Sequence, residues 1–293
     1  MSWLVGVVGA GLMGRGIAQA AATSGHRVLV HDSDPAQWPA AHEAITSSLA
    51  RLVDKGQLAP AARDAALGRL RFVGQLREFV DADLVIEAIV EDLDAKRALW
   101  HALEPLCRAD AVFATNTSSL SVVEQAAHLA HPGRMVGLHF FNPVPTMPLV
   151  EVVRSLHTDP AVLARAEEWV TSLGKVVVRC RDEAGFLVNR LLVPYLLDAV
   201  RALEAGVGST RDIDTAMTLG AGHPMGPLTL LDFVGLDTVV RIAEILHDQF
   251  REPRYAPPPL LRRLVAAGNL GRKNGRGFYD WNVKPPAPVE LGL

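Results

Sequence analysis

The stretch LVGVVGAGLMGRGIAQAAATSGHRVLVHD, residues 4–32, decides the fold of the N-terminal part of the chain. A short apolar run leads into Gly9, Gly11 and Gly14, spaced Gly-x-Gly-x-x-Gly, and an Ala-rich helical segment then leads to a second apolar run that ends at Asp32. Two such runs joined by a helix predict a βαβ unit with parallel strands. In that context the glycines predict the tight turn of a dinucleotide-binding fold.

The same stretch indicates which dinucleotide would bind. An acid at the end of the second strand, here Asp32, can bind the ribose hydroxyls. Because Ser33 and Asp34 follow it instead of an arginine, a 2′-phosphate would meet negative charge, and NAD is preferred to NADP. Flavin competes for such loops, but nothing else in the sequence favours it. The loop and first helical turn are expected to contact the pyrophosphate through Gly9, Gly11, Leu12, Met13 and Gly14.

Further apolar runs alternate with helical stretches and predict an α/β domain over residues 1–183, with a mostly parallel Rossmann-type sheet. These runs cover residues 70–74, 82–89, 111–117, 135–141, 149–153 and 175–180. Residues 33–69 are too many for a single crossover helix, and the sequence VDKGQLAP interrupts them. We therefore expect a helical hairpin inserted between the second and third strands.

The alternation of strand-like and helical segments ends at about residue 183. Helical spacing predicts an all-α C-terminal domain over residues 184–283, and the Pro-rich residues 284–293 are expected to be a frayed tail. The helical stretches cover residues 186–206, 210–220 and 227–250.

Composition excludes several classes of function. The net charge is −3 and the basic residues are scattered, so there is no positive electrostatic field that would attract nucleic acid. No apolar run approaches the roughly 18 residues of a membrane span, and the early first strand leaves no room for a leader peptide. Cys107 and Cys180 form no disulfide framework, which fits a reducing compartment. The sequence therefore predicts a cytoplasmic protein that binds neither membrane nor nucleic acid, and no metal site is predicted.

His139 and Glu151 stand in apolar surroundings in the stretch VGLHFFNPVPTMPLVEVV, residues 136–153. A His at the carboxyl end of a strand reaches the edge where open α/β sheets bind ligands. Histidine also accepts and donates protons near neutral pH, as oxidation of an alcohol by hydride transfer requires. A carboxylate on the next strand would fix the tautomer of the ring. The spacing suggests a catalytic pair, although a core histidine and a solvent-facing glutamate fit the same pattern.

Seven motifs between residues 5 and 281 together resemble the L-3-hydroxyacyl-CoA dehydrogenases, including the bacterial 3-hydroxybutyryl-CoA dehydrogenases. They are GAGLMGRGIAQAAATSGHRV, IEAIVEDLDAKRALW, FATNTSSL, GLHFFNPVPTMPLVEVV, AGFLVNRLLVPYLLDAV, DIDTAMTLGAGHPMGPLTLLDFVGLD and GRKNGRGFYDW. The resemblance implies an NAD domain followed by a helical domain that forms a homodimer. It implies NAD-dependent oxidation of a short-chain L-3-hydroxyacyl-CoA thioester, such as 3-hydroxybutyryl-CoA, to the 3-ketoacyl-CoA and the reverse, within fatty acid metabolism such as β-oxidation.

The resemblance also assigns catalytic roles where the motifs match. The family's general acid/base corresponds to His139 and its carboxylate partner to Glu151. The substrate-contacting serine corresponds to Ser118. The catalytic asparagine corresponds to Asn189, which could donate to a substrate oxygen as negative charge develops there. Without the family, Ser118 would be a turn hydroxyl and Asn189 an amide at a helix start.

Cofactor and substrate contacts follow in the same way. The residues implied near the ribose and nicotinamide are Glu91, Lys96, Asn116, Ser118, Asn142 and Lys273. Taken alone, Glu91 and Lys96 would be solvated charges on a helix face. In the helical hairpin, Ser48 and Lys55 match the family's coenzyme A contacts in spacing. Nearby basic residues that could attract the CoA phosphates are Arg51, Arg69 and Arg71.

Three other functions remain open from the sequence. A dehydrogenase of the same superfamily could use NAD and the His–Glu pair on a hydroxy acid free of CoA, such as L-gulonate. A carrier-protein thioester could replace the CoA thioester. A non-catalytic NAD-binding structural protein would bind NADH without turnover, although His139, Glu151, Ser118 and Asn189 together argue against it.

Overall fold

The structure, a computed structural model, describes residues 2–292 and divides the chain into two compact units. The division falls between Phe186 and Leu187. This is three residues beyond the boundary that the end of this alternation in the sequence suggested. The N-terminal unit combines strands and helices, and the C-terminal unit is mainly helical.

An eight-stranded sheet forms the centre of the N-terminal unit. The strands are β1 (Leu4–Val8), β2 (Arg27–His31), β3 (Leu70–Phe72), β4 (Leu84–Glu87), β5 (Val112–Thr115), β6 (Met135–Phe140), β7 (Leu149–Arg154) and β8 (Val176–Arg181). Their order across the sheet is β3-β2-β1-β4-β5-β6-β7-β8. The β6–β7 pair is antiparallel and every other neighbouring pair is parallel. The predicted Rossmann-type sheet is confirmed.

Helices connect these strands. They are α1 (Leu12–Thr23), α2 (Gln37–Asp54), α3 (Pro60–Gly68), α4 (Leu93–Leu103), α5 (Val122–Ala126) and α6 (Pro160–Ser172). The predicted helical hairpin is present as α2 and α3. Its first helix starts only after Asp34, whose carboxylate accepts hydrogen bonds from the Ala36 N–H at 3.0 Å and the Gln37 side chain at 3.0 Å. Asp34 therefore shapes the turn that leads into the hairpin.

Two apolar clusters cover the two faces of the sheet. Alternate strand residues belong to different clusters: Val7 packs in one and Val8 in the other. This follows from the two-residue period of a strand, which sends neighbouring side chains to opposite faces. Trp169 of α6 fills one cluster, and Trp100 of α4 fills the other, where its ring stacks on Phe113 with centroids 5.0 Å apart. Burial on both faces explains why these strands are nearly continuous apolar runs.

Both cysteines of the chain are free in the part that the structure describes. Burial raises the pKa of Cys107 to about 11 and that of Cys180 to about 12. The negative charge of Glu151 adds to the shift at Cys180.

The C-terminal unit is mainly helical. Its elements are α7 (Val188–Glu204), α8 (Thr210–Gly220), α9 (Pro227–Val234), α10 (Leu236–Phe250), α11 (Pro259–Ala266), β9 (Tyr279–Asp280) and β10 (Ala287–Pro288). The single helix expected over residues 227–250 is divided in two at Gly235, whose φ of 99° interrupts the helix. No helix within residues 2–292 has both the length and the apolar content needed to cross a membrane.

Part of the segment expected to be a frayed tail is hydrogen-bonded. β10 pairs with β9 in antiparallel fashion, and the Val289 N–H donates to the Phe278 carbonyl at 2.9 Å. The buried Asp232 carboxylate accepts from the Phe278 and Tyr279 N–H groups, both at 2.9 Å. These bonds hold residues 278–289 in place and correct the expectation, because a lack of apolar periodicity does not exclude backbone pairing.

His26 is a buried polar residue where α1 leads into β2. Its Nδ1 accepts from the Trp3 N–H at 3.2 Å, so in the neutral ring the proton is on Nε2, which donates to the Ser172 hydroxyl at 2.8 Å. The Ser172 hydroxyl donates in turn to the Trp169 carbonyl at 2.6 Å. Burial, aided by nearby positive charge, lowers the pKa of His26.

The lowered pKa predicts a pH-dependent stability. Because the folded pKa lies below the unfolded value of about 6.5, His26 contributes stability that is present above that pH and is lost as pH falls through the folded pKa. We expect the free energy of unfolding, measured in urea, to fall less on acidification in His26→Gln than in the unmodified chain. His101→Gln, at an exposed position, should keep the original pH dependence. An unaltered pH dependence in His26→Gln would exclude His26 as its source.

Candidate active site

The three glycines of the loop after β1 differ in why each position suits a residue without a side chain. Gly9 has a φ of 102°, and a Cβ there would lie 2.4 Å from the Ala88 carbonyl oxygen. A Cβ on Gly14 would lie 1.8 Å from the Gly9 carbonyl oxygen. Gly9 and Gly14 thus allow the backbone to pack closely, whereas a Cβ on Gly11 would meet open space. The open side of the loop is at Gly11.

The loop leads directly into an available helix N-terminus. Gly11 is the N-cap of α1 and has no side chain to bond the first N–H groups of the helix. Those groups, with the positive end of the helix dipole, form a site for an anion. Asp32 stands beside it, since its carboxylate accepts from the Ala10 N–H at 2.7 Å and the Asp34 N–H at 2.9 Å. An open loop, a helix N-terminus and a fixed carboxylate fit the pyrophosphate and ribose of a dinucleotide.

A buried ion network lies at the carboxyl end of β4. Glu87, fully buried, accepts from the Lys96 ammonium at 2.5 Å and from the Thr115 hydroxyl at 2.7 Å. Lys96 is only 1% exposed and also pairs with Glu91 at 3.1 Å. Glu91 and Lys96 are therefore not solvated charges on a helix face, because the start of α4 turns Lys96 inward between two carboxylates.

Glu91 joins this network to the loop after β5. Its Oε1 accepts from the Thr117 hydroxyl at 2.6 Å, the Ser118 N–H at 3.0 Å and the Ser119 hydroxyl at 3.1 Å. Burial alone would raise the pKa of Glu91, but the Lys96 ammonium and the hydrogen bonds from this loop outweigh it and lower the pKa. Glu91 is thus a carboxylate at neutral pH, and it fixes the backbone at Ser118.

His139 and Glu151 form a direct pair. They are register partners across the antiparallel β6–β7 ladder, and His139 Nδ1 lies 2.6 Å from Glu151 Oε2. His139 is 6% exposed and Glu151 is fully buried. The rings of Phe141 and Phe186 flank the imidazole, with centroid distances of 4.5 and 5.6 Å. Because the carboxylate can only accept, Nδ1 carries the proton, and Nε2 of the neutral ring is left as a proton acceptor.

Two asparagines flank this pair. Asn116 follows β5, and its side-chain oxygen accepts from the Phe140 N–H at 3.0 Å, which joins the ends of β5 and β6. Asn142 begins the loop after β6 and precedes Pro143 through a cis peptide bond. The carboxyl ends of β4, β5 and β6 therefore bring Glu91, Ser118, Asn116 and His139 to one edge of the sheet.

The predicted coenzyme A contacts lie on α2, in the case of Ser48, and at its C-cap, in the case of Lys55. Ser48 and Lys55 are seven residues apart, two helical turns, and so share one side of the helix. The Ser48 hydroxyl accepts from the Gln19 side chain at 3.0 Å, and Lys55 is exposed. Of the three arginines expected to attract phosphates, Arg51 is exposed. The other two have protein partners: Arg69 donates to the Ala22 carbonyl at 3.1 Å, and Arg71 pairs with Glu78 at 3.3 Å.

Two predicted site residues belong to the C-terminal unit. Asn189 lies in the first turn of α7 and is half-buried. Lys273 pairs with Asp237, the ammonium lying 2.5 and 2.6 Å from the two carboxylate oxygens. Asp237 stands in the first turn of α10, directly after the break at Gly235. The partner of Lys273 therefore lies in the first turn of the helix that begins at this break.

Two residues of the site are not among those predicted from the sequence. Glu87 is an acid within the apolar run ADLVIEAI, the same signal that singled out Glu151, and it could have been found by that rule. Phe186 has a left-handed φ of 46° although it is not a glycine, and it packs on the His139 ring. No sequence pattern indicates that conformation. Among residues 2–292, His, Cys, Asp and Glu form no cluster suited to a metal ion.

This chain is similar to known dehydrogenases over most of its length. The family model described as the 3-hydroxyacyl-CoA dehydrogenase NAD binding domain matches residues 4–183, and that of the C-terminal domain of the same family matches residues 185–281. The 3-hydroxybutyryl-CoA dehydrogenase of Mycobacterium tuberculosis is 51% identical over 279 residues, which cover 94% of this chain and 98% of the relative. That of Bradyrhizobium diazoefficiens is 44% identical over 285 residues, covering 97% of each chain.

A solved structure shows the same architecture. The crystal structure of (S)-3-hydroxybutyryl-CoA dehydrogenase from Ralstonia eutropha matches with a TM-score of 0.92 and 40% identity, covering 96% of this chain and 99% of that chain. The fold and the nucleotide loop define an NAD-dependent oxidoreductase. The chain belongs to the 3-hydroxyacyl-CoA dehydrogenase family, and its N-terminal unit contains the NAD-binding domain of that family.

The Glu87–Lys96 pair predicts a large effect of a small substitution. Glu87→Gln keeps the shape of the side chain but removes one of the two charges that compensate the buried ammonium. We expect the free energy of unfolding in urea to fall by about 3 kcal/mol, as for other broken buried ion pairs.

A surface pair provides the matched control. Asp94, whose side chain is 92% exposed, lies 3.6 Å from Arg97 in the same helix, α4. Asp94→Asn should change the free energy of unfolding by less than about 1 kcal/mol. Equal effects of the two substitutions would show that burial of the Glu87–Lys96 pair does not decide its contribution.

Proposed function

We propose that this chain catalyses the NAD-dependent oxidation of short-chain L-3-hydroxyacyl-CoA thioesters, such as 3-hydroxybutyryl-CoA, to 3-ketoacyl-CoA, and the reverse reduction. The observation that carries the proposal is the buried His139–Glu151 pair at the edge of the sheet where the nucleotide loop also lies. The names of the relatives support the thioester substrate and the short acyl chain.

The pair supplies the proton transfer. Bound NAD would supply the acceptor for the hydride that leaves the substrate carbon. His139 Nε2 takes the proton of the 3-hydroxyl, and the carboxylate of Glu151 faces the positive charge that then forms on the ring. Reduction runs the same path backwards and needs His139 protonated. Because oxidation releases one proton, lower pH favours reduction at equilibrium.

Further residues are proposed to orient the substrate and the cofactor. Ser118, whose backbone Glu91 fixes, contacts the substrate oxygen, and Asn189 donates to the thioester or 3-keto oxygen. On the cofactor side we propose that Asp32 binds the adenosine ribose. The other proposed contacts, to the pyrophosphate, second ribose and nicotinamide, come from Gly9, Gly11, Leu12, Met13, Gly14, Glu91, Lys96, Asn116, Asn142 and Lys273.

We further propose that Ser48 and Lys55 bind coenzyme A. Their seven-residue spacing along α2 and its C-cap supports this, and the exposed Arg51 lies one turn from Ser48 toward Lys55. A cationic side of a helix suits the phosphates of the CoA moiety. Arg69 and Arg71, which have partners elsewhere, contribute less.

Assembly, location and pathway are also proposed. Large apolar side chains are exposed on the C-terminal unit, including Leu191 at 66%, Val207 at 77% and Leu219 at 82%, which supports a homodimer through that unit. Two free thiols that burial keeps protonated suit the reducing cytoplasm. We assign the enzyme to fatty acid metabolism, including β-oxidation, because 3-hydroxyacyl thioesters are its proposed substrates.

A substrate panel tests the function. We expect NADH consumption with acetoacetyl-CoA, a lower rate with longer 3-ketoacyl-CoAs, and no NAD reduction with L-gulonate. Rapid turnover of acetoacetyl-CoA would support the thioester chemistry. Turnover of L-gulonate or of a carrier-linked thioester instead would assign a different substrate, and NADH binding without any turnover would favour a non-catalytic role.

Substitution of the pair tests the mechanism. His139→Ala should lower kcat by about 10²- to 10⁴-fold, the usual contribution of general acid/base catalysis, while NADH still binds. Glu151→Gln should lower kcat by less than His139→Ala, since the imidazole remains. Glu168→Gln, at an exposed position, serves as a control that keeps full turnover. Full activity in His139→Ala would remove the residue from the proposed role.

A further inference from the structure

The loop of residues 141–148 connects the two strands that hold the catalytic pair. It carries Asn142 at its start, and the Thr146 and Met147 N–H groups both bond the Pro143 carbonyl, at 3.1 and 3.0 Å. These bonds give the loop a compact turn of its own. They do not by themselves fix the turn against the rest of the N-terminal unit.

Lys175 attaches this loop from outside. It lies between α6 and β8, is 9% exposed, and donates from its ammonium to the Val144 and Met147 carbonyls, each at 2.7 Å. Burial lowers the pKa of Lys175, as expected where an ammonium leaves water. An apolar side chain of similar length would fill the space without that desolvation, so what the ammonium adds is the pair of bonds to the loop.

A second contact holds the loop from the other side. Val144 is 2% exposed and packs against α1, where a Cβ on Gly16 would come within 2.9 Å of the Val144 Cβ. Val144 is therefore fixed through its side chain by α1 and through its carbonyl by Lys175. α1 is the helix whose N-terminus forms the nucleotide site, so the loop is tied to the element that binds the cofactor.

We propose that Lys175 is a positioning residue, which sets the place of the 141–148 loop and thereby of Asn142 at the nicotinamide end of the cofactor. The inference rests on the proposed function for the role of Asn142. His139 and Glu151 are held by the β6–β7 ladder and not by the loop. Lys175 thus acts on cofactor placement and leaves the proton-transfer pair intact.

Lys175→Met tests the proposal with measurements that do not depend on turnover. We expect the Kd for NADH to rise on the order of tenfold, because misplacement of a contact by about 1 Å is costly. Hydrogen exchange at the Thr146 and Met147 amides should become faster. In turnover, the pH dependence of kcat should keep its position, since the His139–Glu151 pair is unchanged. Lys284→Met, at an exposed position, is the matched control and should leave all three unchanged.

A purely structural role would give a different result. If Lys175→Met lowers the melting temperature but leaves the NADH Kd and the exchange of the loop amides unchanged, the proposal is overturned. A shift in the pH dependence of kcat would also overturn it, because Lys175 would then act on the catalytic pair. Absence of turnover in the unmodified chain would count against the proposed function alone, since NADH binding and amide exchange remain measurable.

A second variant tests the proposed placement of the 141–148 loop if Lys175→Met does not fold. Gly16→Ala keeps Lys175 and displaces the loop from the opposite side, because the added methyl group meets Val144. It should raise the Kd for NADH and speed exchange of the same two amides. Unchanged binding together with unchanged exchange in Gly16→Ala would overturn the proposal.

Discussion

The reversal of chain direction between β6 and β7 is the constraint on which the site depends. Strands β1 to β6 run parallel to one another, so their carboxyl ends meet at one edge, where the nucleotide loop lies. Because β7 returns antiparallel, its first residues meet the last residues of β6, and Glu151 stands opposite His139. A register slip of one residue would turn Glu151 to the other face of the sheet. Strand pairing therefore sets the pair, and the loop between the strands does not.

A network of buried charged side chains is the second feature that shapes the site in the N-terminal unit. Glu87, Lys96 and Glu91 are costly to remove from water, and each is compensated by an opposite charge and by hydrogen bonds from strand ends and loops. These contacts fix positions, because a carboxylate that accepts from several donors is satisfied in only one arrangement of the surrounding groups. Glu91 thereby fixes the loop that carries Ser118, and Glu87 fixes the orientation of Lys96.

Much of this architecture could be predicted from sequence, because strand and helix periodicities are local. The sheet, the hairpin insertion and the His–Glu candidates follow from patterns of apolar and polar residues within short segments. The inward turn of Lys96 could not be predicted, since helical spacing does not say which charged residue meets a buried carboxylate from another element. The break at Gly235 was missed because a single glycine within a helical pattern is usually tolerated. Lys175 carries no sequence signal, because its partners are backbone carbonyls of a distant loop.

The state of the two thiols has a consequence for the chemical durability of the enzyme. Only a thiolate attacks disulfides, peroxides or alkylating agents, and burial keeps Cys107 and Cys180 in the thiol form throughout the physiological pH range. Both side chains are therefore poor substrates for glutathionylation and for oxidation to sulfenic acid. Neither cysteine therefore has the thiolate character that makes a cysteine side chain sensitive to oxidants.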